Sequence, residues 1–92
     1  MPGSWYARHA IDFMTQHKDE PFFVQVSFHQ PHSPFRFPVE YRDRLDPNRM
    51  PVPPIGPEDV PQIPKIFADL TAPDKRGIRA CYYTATTFMD RA

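Results

Sequence analysis

The sequence predicts an α/β arrangement: a helix, a buried strand, a long proline-rich loop and a second helix. Three observations carry that expectation. Apolar residues recur at helical spacing near both ends of the chain. One seven-residue stretch, FFVQVSF, combines aromatic and β-branched residues. Ten of the 13 prolines lie between Pro31 and Pro64, where they forbid regular structure.

The first helix is expected from about Ser4 to His17. Tyr6, Ala7, Ala10, Ile11, Phe13 and Met14 share one face, and Arg8, His9, Asp12, Thr15 and Gln16 the other. Ser4 is a suitable N-cap. Pro21 sets a limit to the helix, and Lys18 suits its negative end.

Phe22 to Phe28 is expected as a strand. Phe22, Val24, Val26 and Phe28 alternate with Phe23, Gln25 and Ser27. Apolar weight on both faces points to a strand covered on two sides, as in parallel sheets. Gln25 and Ser27 would then lie toward its C-terminal end, where α/β sheets place ligands.

Residues from about Lys75 to Arg91 fit the last helix. Ile78, Cys81, Tyr82, Ala85, Phe88 and Met89 form its apolar stripe. Asp74 is the candidate cap, with Pro73 just outside. A weaker helical turn is expected near Ile63 to Leu70. The proline-rich stretch also holds Phe35, Phe37, Val39, Tyr41, Leu45, Met50, Val52 and Ile55. That apolar content predicts an ordered loop laid on a larger surface rather than a disordered linker.

Composition excludes several functions. Eleven basic and 11 acidic residues balance to zero net charge, which gives no footprint for nucleic acid. No run of eighteen apolar residues can span a membrane. Met1-Pro2-Gly3-Ser4-Trp5 lacks a basic region followed by an apolar core, so it does not read as a signal peptide. Cys81 is the single cysteine, and no intrachain disulfide is possible. Its setting between Ala80 and Tyr82 suits a small buried hydrophobe.

The chemistry concentrates in Ser27-Phe28-His29-Gln30-Pro31-His32-Ser33-Pro34-Phe35. Pro31 and Pro34 bracket His32 and restrict the backbone on both sides of its ring. An imidazole held this way suits a proton donor or an anion ligand. The plain alternative is that His32 packs against Pro34 and bonds a backbone carbonyl. His29 and His32 could suggest a metal site, but two ligands alone are few, and strand spacing would start them on opposite faces. No metal ligand is therefore assigned. His9 and His17 read as surface residues. Glu40, Arg42, Asp43, Arg44 and Asp46 read as a solvated run, and Arg36 as exposed.

This segment resembles the sulfatase family of the alkaline-phosphatase-like superfamily. PFFVQVSF, HQPHSPF, FPVEYRDRLDP and MPVPP follow one another in the family's order. Ala80-Cys81-Tyr82-Tyr83 and Met89-Asp90-Arg91 look like the family's helix before its last metal-ligand segment. Iduronate-2-sulfatase-like and bacterial arylsulfatase-like members look nearest. The resemblance implies that residues 1–92 are the central part of a sulfatase catalytic domain, a fragment of its mixed sheet. It implies that His32 is the catalytic histidine, contacting the sulfate and donating toward the departing alcohol oxygen; His29 reads as a residue behind it or in the wall of the same substrate-binding pocket. It implies Ca²⁺ and a formylglycine in the intact enzyme, and a sulfated small molecule or glycan as substrate. Asp90 matches a position read as structural. Intact members are often exported, periplasmic or lysosomal.

The chain departs from the family in what it lacks. Formylglycine forms in a C/S-x-P-S/A-R motif, and Cys81 is followed by Tyr82-Tyr83-Thr84. No acidic cluster offers the roughly six oxygen ligands a hard cation needs. The chain is not expected to be active alone. Two other readings remain: a phosphonate or phosphodiester hydrolase of the same superfamily, and a binding module presenting PxxP-spaced prolines.

A single strand has no ladder partner, and loops beyond about 15 residues are uncommon in compact domains. The isolated chain is therefore expected to unfold without cooperativity. Thermal melting followed by circular dichroism checks this; a sharp transition from a monomer contradicts it.

Overall fold

The computed structural model describes residues 2–91. Its helices are α1 (Pro2–Gln16), the short α2 (Lys65–Ala68) and α3 (Ala72–Met89). Three single-turn 3-10 helices, Val39–Tyr41, Pro47–Arg49 and Val60–Gln62, punctuate the proline-rich stretch. Among the described residues no helix is long and apolar enough to cross a membrane.

The expected α/β architecture is overturned: there is no strand or sheet among the described residues. Residues 21–29 run without helix, turn or ladder. The reason is a missing mate. A strand exists only when a second extended backbone lies beside it to exchange hydrogen bonds. Among the described residues no second stretch lies beside it to pair. The prolines that follow remove donors and break up any run that could pair. The segment is not buried on both sides either, since Phe23 is 85% exposed.

α1 starts two residues before the expected Ser4 and ends one before His17. Proline is tolerated in a first turn because its missing N–H would be unpaired there. The segment beyond folds back along α1. Phe22 meets Phe13 edge-on, with ring centroids 5.8 Å apart, and Phe28 meets Tyr6 at 6.4 Å. Only part of the predicted apolar face gains this cover, and Ile11 stays 57% exposed.

α3 carries the buried residues named in this fold: Ala80, Thr84, Ala85 and Phe88. The small side chains let the loop approach the helix closely. Tyr41 packs edge-on against Phe88 at 5.4 Å, and Phe35 against Tyr82 at 6.0 Å. Arg79 donates to the Pro51 carbonyl at 3.0 Å and to the Tyr83 hydroxyl at 3.3 Å. The proline-rich stretch is thus laid along α3. Thr84, Thr86 and Thr87 each donate to the carbonyl four residues back, from Ala80, Tyr82 and Tyr83.

The start of α3 differs from expectation. Thr71 is the N-cap, and Asp74 sits at the third helical position with Pro73 inside the first turn. The two close a capping box. The Thr71 hydroxyl donates to Asp74 Oδ2 at 2.6 Å, and the Thr71 N–H donates to the same oxygen at 2.9 Å. The Asp74 N–H donates back to Thr71 Oγ1 at 3.3 Å. Thr-x-x-Asp ahead of an apolar stripe is the sequence signature of this box.

The whole is open. The Cα radius of gyration is 18.2 Å, against about 12 Å for a compact chain of this length. The accessible surface is 7603 Å², against about 5500 Å² for a folded monomer of this mass. No large side chain is fully buried among the described residues.

The Thr71 hydroxyl, then the Thr71 amide, hold the Asp74 carboxyl below its ordinary value of 3.8, while desolvation acts in the opposite direction. A lowered native value means that this stabilisation is present above pH 3.8 and fades as pH falls through the native value. Thr71→Ala should return the Asp74 midpoint toward 3.8 and lower the helical signal of α3. Carbon-13 titration of the carboxyl together with ellipticity at low pH reads both.

Candidate functional site

The candidate site begins where the extended segment ends. The His32 N–H donates to the His29 carbonyl at 3.0 Å, closing a turn with Gln30 and Pro31 at its centre. The Gln30–Pro31 and Ser33–Pro34 peptide bonds are cis. The turn closed from His32 to His29 reverses the chain, which does not continue extended through His32.

That reversal corrects the expected placement of the two histidines. The rings do not diverge; their centroids are 5.1 Å apart, tilted by 38°. Spacing along a strand was the wrong geometry, because the turn begins at the first histidine. Both rings are exposed.

His32 is held at one nitrogen. Its Nδ1 lies within hydrogen-bonding distance of the Ser33 carbonyl oxygen. A carbonyl only accepts, so Nδ1 carries a proton and donates it. Nε2 is left available for an outside group. The plain alternative from the sequence, a bond to backbone, is thus part of what is observed. It fixes the ring without using the second nitrogen. This is the arrangement by which the partner of one ring nitrogen sets the task of the other.

No metal centre assembles around the pair. Among the described residues, no three His, Cys, Asp or Glu side chains gather closely enough to hold an ion. Cys81 is half-buried on α3, beside Phe37, Leu45, Ala80 and Thr84. The residues present therefore fit neither the calcium site nor the formylglycine that the family resemblance implies.

Other polar candidates have structural work. Asp46 accepts from the Asn48 N–H at 2.9 Å and caps the Pro47–Arg49 turn. Arg44 lies over the Tyr41 ring at 4.2 Å. Sequence reasoning placed both in a solvated run; the Asp-Pro-Asn triplet was the signal for the cap. His9 stacks on Trp5 at 3.9 Å and bonds its carbonyl, and His17 pairs with Glu20. Arg36 is exposed. Asp90 forms the C-cap of α3.

Comparison with known proteins gives one partial likeness. The chain is 49% identical over 37 residues to a protein of Escherichia coli (strain K12) named "Uncharacterized sulfatase YidJ". The likeness is to a sulfatase. The matched stretch is 38% of this chain and 7% of that protein's length. No protein-family profile matches the chain, and no solved structure matches it.

The Nδ1 bond makes a specific prediction about the ring. In the neutral state His32 should carry its proton on Nδ1, the less common tautomer of free histidine. Nitrogen-15 shifts of the labelled ring check it; a proton on Nε2 alone contradicts the bond to Ser33.

Proposed function

We propose that this chain is a segment of a sulfatase catalytic domain and that its contribution to catalysis is His32. The observation that carries the reading is the ring itself, tied through Nδ1 to the Ser33 carbonyl and open at Nε2. The partial sulfatase likeness supports the reaction class.

The chemistry follows from the ring's two nitrogens. As the bond between sulfur and the bridging oxygen lengthens, negative charge collects on that oxygen. An imidazolium at position 32 has a donor at each nitrogen. Nδ1–H stays with Ser33, and Nε2–H is free to point at the leaving oxygen. This interaction is stronger in the transition state than in the ground state, so it raises the rate and not merely the affinity. The proton transferred from Nε2 leaves with the alcohol. In this reading His29, 5.1 Å away by ring centroid, contacts the same substrate. The attacking group and any cation come from outside these residues. The substrate class is a sulfated small molecule or sulfated glycan.

In the complete domain, His32→Ala should lower kcat for an aryl sulfate by about 10²–10³-fold. His29→Ala should act mainly on KM. Steady-state kinetics separates the two, and unchanged turnover in the His32→Ala variant removes the assignment.

A further inference from the structure

The turn that carries His32 is fixed internally but has few ties to the rest of the chain. Its hydrogen bonds run from the His32 N–H to the His29 carbonyl and from Nδ1 to the Ser33 carbonyl. Both close within residues 29–33. They set the shape of the turn and leave its place on the fold to other contacts. Among the described residues two ring pairs flank it. Phe28 meets Tyr6 of α1 at 6.4 Å, and Phe35 meets Tyr82 of α3 at 6.0 Å, with planes at 89°.

Phe35 stands three residues beyond His32, so their Cα atoms are at most about 11 Å apart. The link between them is stiff. Pro34 fixes its own φ and restricts Ser33 ahead of it. A shift of the Phe35 ring is therefore passed back along the chain to the imidazole. The seat on α3 is held as well. Tyr82 packs edge-on against Tyr83 at 5.9 Å. The Arg79 guanidinium lies over the Tyr83 ring at 5.6 Å, donates to its hydroxyl and also holds the Pro51 carbonyl.

We infer that Tyr82 is a positioning residue for His32: by seating Phe35 edge-on, it fixes where the His32 ring stands relative to α3 and so aims Nε2. This rests on the reading of His32 as the proton donor. A donor works only within hydrogen-bond reach of the leaving oxygen, and a displacement of about 1 Å can cost about 10²-fold in rate. Tyr82 touches no reacting atom in this role. Its effect passes through Phe35 and His32. The contact is between rings, so it does not need the Tyr82 hydroxyl.

The test is steady-state kinetics on an aryl sulfate in the complete domain. Tyr82→Leu should lower kcat by about tenfold or more and change KM little. Phe35→Leu removes the other half of the pair and should reproduce the loss. Tyr82→Phe keeps the ring and should hold kcat within about twofold. In a His32→Ala background Tyr82→Leu should cost nothing further, since a residue that acts through His32 has nothing left to act on. Tyr41→Leu is the comparison for packing alone. Tyr41 ties the same loop to α3 through Phe88 at 5.4 Å but lies nine residues from His32. It should lower the melting temperature and leave kcat in place below each variant's melting midpoint. If His32→Ala leaves turnover unchanged, the donor reading fails and this inference with it. If His32→Ala lowers kcat, three results overturn this inference alone: unchanged kcat in Tyr82→Leu, equal losses in Tyr82→Leu and Tyr41→Leu, or a Tyr82→Leu loss that persists in the His32→Ala background.

Discussion

Backbone hydrogen bonding is the constraint on which the rest of this molecule turns. In α1 and α3 every interior amide finds its partner within the helix, so these elements form from local sequence alone. Between Phe22 and Phe28 the chain offers the same groups with no backbone partner among the described residues. The segment makes no ladder of its own. The dimensions follow from that. A chain with a radius of gyration of 18.2 Å has not closed around one core. Its packing includes α1 with the segment after it and α3 with the proline-rich loop.

The proline-rich loop shows how irregular backbone becomes ordered without a ladder. Its turns close locally, each with its own short-range bonds, as at Met50 to Pro47 and Ile63 to Val60. Aromatic rings then anchor it to α3. Proline lowers the entropy lost on ordering, because its φ is already set. The same residues that forbid a strand make a fixed loop less costly.

What was legible in the sequence was what depends on neighbours in the chain. The two long helices, the short turn near Lys65 and the ordered loop all rest on periodicity and turn chemistry over a few residues. The strand was legible as a preference and not as an element. Phe22 to Phe28 has the composition of a strand, but pairing is a property of two segments, and one sequence stretch cannot state whether its mate exists. The capping box was misread because Asp74 drew attention from Thr71, the residue three places earlier that completes it. At the candidate site, the restraint on His32 followed from Pro31 and Pro34. The approach of His29 did not, since it depends on the turn beginning at His29 rather than after it. The cap made by Asp46 was missed for a related reason: a run of charges reads as solvated until one of them is seen to fold back on its own backbone.

The three threonines of α3 have a consequence for how that helix can be covered. Each hydroxyl is already spent on a carbonyl one turn back, so Thr84 is buried without asking anything polar of its surroundings. To whatever lies on it, Thr84 presents a methyl group rather than a hydroxyl. Its cover needs bulk and shape but no matching donor or acceptor. The overlying segment is therefore free to change its polar residues, provided that rings such as Phe35 and Tyr41 keep their seats.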